Sequence, residues 1–349
     1  MTGTARGAGR VGIKDVAAVA GVSTTTVSHV LNDVSEARVS SATRARVHEA
    51  ADRLGYRASR VAKALRTQRS GLIGFLTDHS ATTPHAGRMI LGAQEVLQEH
   101  GMTLVLLSSG GDHRVEQREV EALSATQVDG VLYAPMYHQV VRLPVDLDSF
   151  ATVLINCRTP HGEPPAIVPD ERRAGREATQ LLLDAGHRRV GFALNEDPIP
   201  ATRLRLEGYE DALAAAGVRK DPRLIVTELS ESEGGYRAVR QLLDLDDPPT
   251  GVFCFNDRMA MGAYRAAAER GLRIPDDVSI VGFDNQPYVA EGLYPALTTM
   301  ALPHLEMGQW AAERLLRLLA PGGTAESEEP VLQHCPAIPR QSIGPPPAA

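Results

Sequence analysis

Residues 15–32 read DVAAVAGVSTTTVSHVLN, and this stretch decides the reading of the whole chain. Asp15 to Ala20 is a short helical segment with one apolar face. Gly21 and Val22 make a tight turn, for which Gly21 can take positive φ without a Cβ penalty. Ser23 is placed to cap a second helix by accepting from an early backbone N–H. That helix buries Val27, Val30 and Leu31 and leaves Thr24, Thr25, Thr26, Ser28 and His29 at its surface. Two short helices joined this way, the second presenting hydrogen-bonding side chains, form a helix-turn-helix that fits a DNA major groove. An αα-hairpin buried in a core is the structural alternative, and the surrounding sequence opposes it.

Charge is the first opposing evidence. The 349 residues hold 36 Lys and Arg against 43 Asp and Glu, a net charge of −7. Residues 1–66 alone hold 11 basic and 5 acidic side chains, or +6, which leaves −13 for the remainder. A basic head on an acidic body concentrates phosphate attraction where the motif lies. Ser40 is a good cap for a third helix, with Val47, Ala51 and Leu54 on one face and Gly55 at its end. Tyr56 can reach a phosphate through its hydroxyl.

The rest of the chain predicts a layered α/β body. Ten short apolar runs, Gly71–Asp78, Thr103–Ser109, Val128–Pro135, Thr152–Cys157, Ala166–Asp170, Arg189–Asn195, Leu224–Leu229, Gly251–Asp257, Val278–Asn285 and Leu297–Pro303, alternate with amphipathic segments such as 87–100, 171–185 and 203–216. Continuous apolar strands between helices imply parallel sheets covered on both faces, and ten strands suggest two lobes. Polar residues collect where such runs end (Asp78, Asn156, Asp170, Asn256, Asp284), which is where open α/β sheets bind ligands. No run of 18 apolar residues occurs, so no membrane span is expected, and the N-terminus lacks the apolar core of a secretory signal. Cys157, Cys254 and Cys335 are an odd set without metal-ligand spacing, read as reduced thiols in a cytoplasmic protein. His79, His85, His138 and His161 also lack such spacing and are expected at the surface; no metal or cofactor is expected.

The chain resembles, along its whole length, the lactose repressor/purine repressor family of bacterial transcription regulators. The resemblance is carried by VAGVSTTTVSHVLN, GYRASRVAKALR, GHRRVGF, RLRLEGY, VFCFNDRMAMGAYRAA, IPDDVSIVGFDN and LTTMALP, in order; TDHSATTPHAGRMI is similar to a branch common in high-GC Gram-positive bacteria. It implies an all-α helix-turn-helix head (1–57), a hinge helix (58–68) and a periplasmic-binding-protein-like body of two doubly wound α/β lobes (69–345). The N-lobe would take 69–169 and 299–330, the C-lobe 170–298 and 331–345.

The resemblance also implies roles for individual residues. Thr24 and Thr25 match base-contacting positions, with His29 one turn on where the family usually has Arg, so base preference there should differ. Ser23, Thr26, Ser28, Asn32 and Tyr56 would hold phosphates. Arg60, Ala62 and Leu65 belong to a hinge that pairs with its dimer mate in the minor groove, Leu65 being the wedge that kinks the duplex. Ala58 stands where the hinge commonly begins with Pro. Arg205, Asn256 and Asp284 match effector-contacting positions of the family; Asp78 and Asn156 are further candidates only by their place at strand ends, and Asp257 would only cap a helix. A Trp that stacks on ligand elsewhere in the family is matched by about Ser230.

The function implied is a repressor, a homodimer on a palindromic double-stranded operator, whose affinity is set by an effector, most simply a sugar. A purine-type corepressor is the alternative within the family; a sugar receptor without DNA function fits the body but not the basic head. No Walker loop, G-x-S-x-G or H-E-x-x-H supports an enzyme. No heptad helix follows residue 345, so a dimer rather than a tetramer is expected.

Overall fold

The computed structural model describes residues 11–31, 39–56, 69–78, 84–324 and 329–348, the side chains of 84–86 excepted. Asn32, Ala58, Arg60, Ala62, Leu65 and His79 lie outside the described residues, as does the side chain of His85. The chain divides into two units, Met1–Ser70 and Gly71–Ala349.

The first unit holds α1 (Ile13–Ala20), α2 (Thr24–Leu31) and α3 (Ser41–Leu54). Gly21 ends α1 at φ 64° and Gly55 ends α3 at φ 62°, the left-handed caps the sequence predicts. The Ser23 hydroxyl accepts from Thr26 N–H at 3.0 Å, and Ser40 accepts from Thr43 N–H at 3.2 Å. Val16, Val27, Val30 and Val47 close a small core, with Leu31, Leu54 and Tyr56 half-buried at its edge. Thr24 and Thr25 stand exposed on α2, with Ser28 and His29 partly covered.

In the second unit the N-lobe strands are β1 (Leu72–Thr77), β2 (Thr103–Ser108), β3 (Gly130–Tyr133), β5 (Ala151–Ile155) and β7 (Ala166–Pro169), with β4 (Gln139–Val140) and β6 (Cys157–Arg158) forming a small separate pair. The C-lobe strands are β8 (Val190–Asn195), β9 (Ile225–Glu228), β10 (Gly251–Cys254), β11 (Ser279–Asp284) and β12 (Thr298–Ala301). Two short strands complete the sheets, β13 (Val331–Gln333) and β14 (Ala337–Ile338). Sheet order is β13-β7-β5-β3-β1-β2 in one lobe and β14-β12-β11-β10-β8-β9 in the other. All pairings in these two sheets are parallel except β12 with β14. Each of the ten expected runs overlaps one of these strands. Along β1 the side chains alternate between two apolar layers, Ile73 and Phe75 on one face and Leu76 on the other.

Helices cover both sheets: α4 (Pro84–Glu99), α5 (His113–Thr126) and α10 (His304–Leu319) on the N-lobe, and α6 (Glu171–Asp184), α7 (Pro200–Ala215), α8 (Ser232–Leu243) and α9 (Asp257–Glu269) on the C-lobe. The chain crosses between lobes three times, after β7, after β12 and after β13. Two lobe boundaries therefore need correction. β12 pairs with β11 and belongs wholly to the C-lobe, whereas 299–330 was expected in the N-lobe. β13 pairs with β7 and belongs to the N-lobe, although 331–345 was expected in the C-lobe. Lobe membership of a strand follows from its hydrogen-bonded neighbour, which its own sequence does not encode.

Candidate effector cleft and recognition helix

In each lobe the chain reverses direction across the sheet at its first strand, β1 or β8, and such switch points open a crevice at the carboxyl ends of the strands. The cavity found there occupies about 190 Å³. Met136, Tyr137 and His138 follow β3, Asn156 follows β5, Asn256 follows β10, and Asp284 ends β11; all line it. Asn156 at φ 61° and Asp284 at φ 106° hold left-handed backbone that L-residues rarely adopt, and such strain gathers at functional sites.

Arg205 is the electrostatic centre. Gly175 on α6 and Gly208 on α7 let the two backbones touch: a Cβ at Gly208 would fall 2.1 Å from the Arg172 carbonyl oxygen. This close crossing sets Arg205, on α7, against Glu171 in the first turn of α6. Arg205 is 3% exposed, Glu171 2%, and the Arg205 Nε–H donates to Glu171 Oε2 at 2.7 Å. The Arg205 Nη1 donates to the Phe255 carbonyl at 2.5 Å and lies 3.8 Å from Asp284 Oδ1. The Phe283 and Phe255 rings flank the guanidinium, with centroids 3.5 and 4.4 Å from Cζ. A buried cation held by a carboxylate, a carbonyl and two π faces is fixed in place.

The other sequence-predicted effector residues divide. Asn156 donates from Nδ2 to the carbonyls of Pro135 (3.3 Å) and Met136 (2.9 Å), so it shapes the roof of the cavity as well as lining it. Asn256 is the N-cap of α9: its Oδ1 accepts from Met259 N–H at 2.8 Å, and its Nδ2 donates to the Ser230 carbonyl at 3.0 Å. Asp257 was expected to be that cap. Instead it is buried, accepts from Thr299 Oγ1–H and Gln286 N–H at 2.6 Å each, and ties β12 and the loop after Asp284 to α9. Burial, with Asp284 adding repulsion, raises its pKa to about 7. Asp78 is not among the residues lining the cavity; its Oδ1 accepts from Met136 N–H at 3.0 Å and braces the loop that does line it.

His138 was expected at the surface. It is 6% exposed, lines the cavity, and its Nδ1 has no hydrogen-bond partner among the described residues. His161 is exposed, as expected. Glu171, Asn195, Asp197, Phe255, Arg258 and His304 also line the cavity without having been singled out. Glu171 reads in sequence as an ordinary first-turn acid favouring the helix dipole. Only the crossing at Gly175 and Gly208 reveals its partner. The three cysteines are buried free thiols.

A basic helix-turn-helix head and a two-lobed body with a polar cleft define a ligand-responsive DNA-binding regulator. Residues 12–59 match the model of bacterial regulatory proteins of the lacI family, and residues 169–343 match the periplasmic binding protein-like domain. The ribose operon repressor of Escherichia coli K12 is 36% identical over 87% of this chain and 92% of its own length. The transcriptional repressor PurR of Vibrio atlanticus is 33% identical over 87% and 90%. The solved lac repressor dimer, bound to operator and an anti-inducer, superposes with TM-score 0.77 at 26% identity, covering 96% of this chain and 99% of that one. The chain belongs to the lacI family of bacterial transcriptional regulators and is not an enzyme. Among the described residues, no helix is long and apolar enough to cross a membrane.

Proposed function

We propose that the chain is a cytoplasmic repressor that binds a palindromic operator as a homodimer, and that a neutral sugar in the interlobe cavity sets its operator affinity. The observation that carries the ligand class is the charge and donor pattern of the cavity. Glu171, Asp197 and Asp284 face Arg205 and Arg258, so carboxylates outnumber guanidinium groups and an anionic ligand is disfavoured. Asn156, Asn195, Asn256 and Ser230 add neutral donors and acceptors suited to hydroxyls. The ring of Phe255 is covered by Arg205, which takes away a face on which a purine would stack.

Thr24, Thr25 and His29 read base edges in this proposal. Ser23, Thr26, Ser28, Asn32 and Tyr56 hold phosphates, and Arg60, Ala62 and Leu65 form the minor-groove hinge. The Ser23 and Thr26 hydroxyls also bond one another at 2.9 Å, which orders the start of the recognition helix. Operator selected from a random pool by purified protein supplies the test DNA. Thr25→Ala is expected to lose about 1–3 kcal/mol on that operator and little on unrelated DNA. Raising salt from about 50 to 200 mM should weaken both by orders of magnitude through counterion release. Anisotropy titrations repeated with D-ribose, D-glucose, D-galactose, guanine and adenine should give one sugar that shifts operator affinity by roughly 5–150-fold. Recognition of a single half-site by a monomer, or a response to a nucleobase and to no sugar, would sink the respective half of this proposal.

A further inference from the structure

Two ionisable side chains from opposite lobes meet in the cavity without bonding each other. His138 comes from the loop after β3 in the N-lobe, and Glu171 opens α6 in the C-lobe. His138 Nδ1 lies 3.9 Å from Glu171 Oε1, beyond hydrogen-bond length. The second oxygen, Glu171 Oε2, is already held by Arg205 at 2.7 Å, which turns Oε1 toward the histidine. His138 Nδ1 is thus a buried polar atom on the cavity wall with no partner among the described residues, a costly arrangement for a side chain 5% exposed. Burial, with Glu171 pulling the other way, keeps its pKa below the ordinary histidine value, so at neutral pH the ring is a neutral imidazole with one N–H to give.

We infer that His138 and Glu171 together grip one hydroxyl group of the effector, so that this hydroxyl joins the two lobes and discriminates among sugars. An oxygen about 2.8 Å from each atom fits a pair 3.9 Å apart, the two contacts meeting at roughly a right angle on it. That oxygen must accept from Nδ1–H and donate to a carboxylate. A hydroxyl does both; a carboxylate oxygen has no proton to give, and a carboxylate or a phosphate is repelled by Glu171. Because one contact comes from each lobe, the hydroxyl is satisfied fully only when the lobes are together, which gives the ligand its differential affinity for that state. The inference rests on the sugar reading of the cavity.

The test compares wild type with His138→Phe, which keeps the ring volume and removes the nitrogen, and His138→Asn, whose amide lies near the Nδ1 position. Calorimetry uses whichever of D-ribose, D-glucose and D-galactose binds the wild type, together with its monodeoxy derivatives. His138→Phe is expected to bind at least tenfold more weakly, and His138→Asn within about threefold of wild type. One monodeoxy sugar should lose affinity for wild type and lose less, relative to the parent sugar, for His138→Phe, where only the Glu171 contact remains to be removed, so that the two deletions are not additive. Ligand-free operator affinity should be unchanged in both variants, and the unfolding midpoint followed by Trp310 fluorescence should not fall in either, since His138→Phe removes a buried polar atom that has no partner among the described residues. Equal binding of the sugar by wild type and His138→Phe overturns the assignment of His138 and leaves the sugar reading standing. A wild type that ignores every sugar and binds adenine or guanine overturns the sugar reading itself.

Discussion

Arg205→Ala is expected to lower the unfolding free energy of the 71–349 unit by about 3–5 kcal/mol, as well as abolishing the effector response. The cost comes less from the contacts deleted than from what stays behind. Glu171, 2% exposed, loses the guanidinium at 2.7 Å and keeps only His138 at 3.9 Å, leaving an uncompensated carboxylate in the interior. Arg205→Lys should fall between, since an ammonium retains charge but cannot span Glu171 and the Phe255 carbonyl in one planar group. Arg205→Met combined with Glu171→Leu should recover most of the stability, because apolar replacement of both partners removes the stranded charge. Trp310 is the chain's one tryptophan and packs on the N-lobe core, so its fluorescence in a urea titration follows this unit and not the head. An Arg205→Ala midpoint indistinguishable from wild type would mean that the pair contributes nothing to the fold.

Arg205 also marks how far the sequence could be read. Its presence in the cleft is legible from RLRLEGY and the family resemblance, but its partner is not, because Glu171 lies 34 residues away on another helix. The helix-turn-helix is legible in detail because its signals are local: Gly21 and Gly55 need left-handed backbone, and Ser23 and Ser40 supply oxygens to the next turn. The ten longer strands announce themselves as short, mainly apolar runs alternating with amphipathic helices. β4, β6, β13 and β14 are two or three residues each and carry no period to detect. His138 sits in a polar stretch, MYHQ, and its burial comes from the approach of the C-lobe. Asn256 and Asp257 are both able caps by composition; one residue of register decides that the first closes the helix and the second turns inward to Thr299.

That inward turn gives Asp257 an effect on stability with a definite pH dependence. Its folded pKa of about 7 stands above the value of 3.8 expected when unfolded. Between those values the folded chain keeps a proton that the unfolded chain releases, so stability falls by about 1.4 kcal/mol for each unit of rising pH. Above about 7 both states have lost the proton and the contribution levels off. Asp257→Asn removes this dependence while preserving the bonding pattern: Oδ1 can accept from Gln286 N–H, and Nδ2 can donate to Thr299 Oγ1, freeing that hydroxyl for the Met300 carbonyl at 3.4 Å. Other groups titrate in both proteins, so the informative quantity is the difference between variant and wild type. From pH 5 to 8 that difference should move by about 3 kcal/mol in favour of Asp257→Asn, the change ending near pH 7. Urea titrations read by Trp310 at half-unit intervals of pH would measure it. A difference that stays flat across the range would show that Asp257 is ionised throughout, held so by Arg340 and its two donors against the repulsion of Asp284.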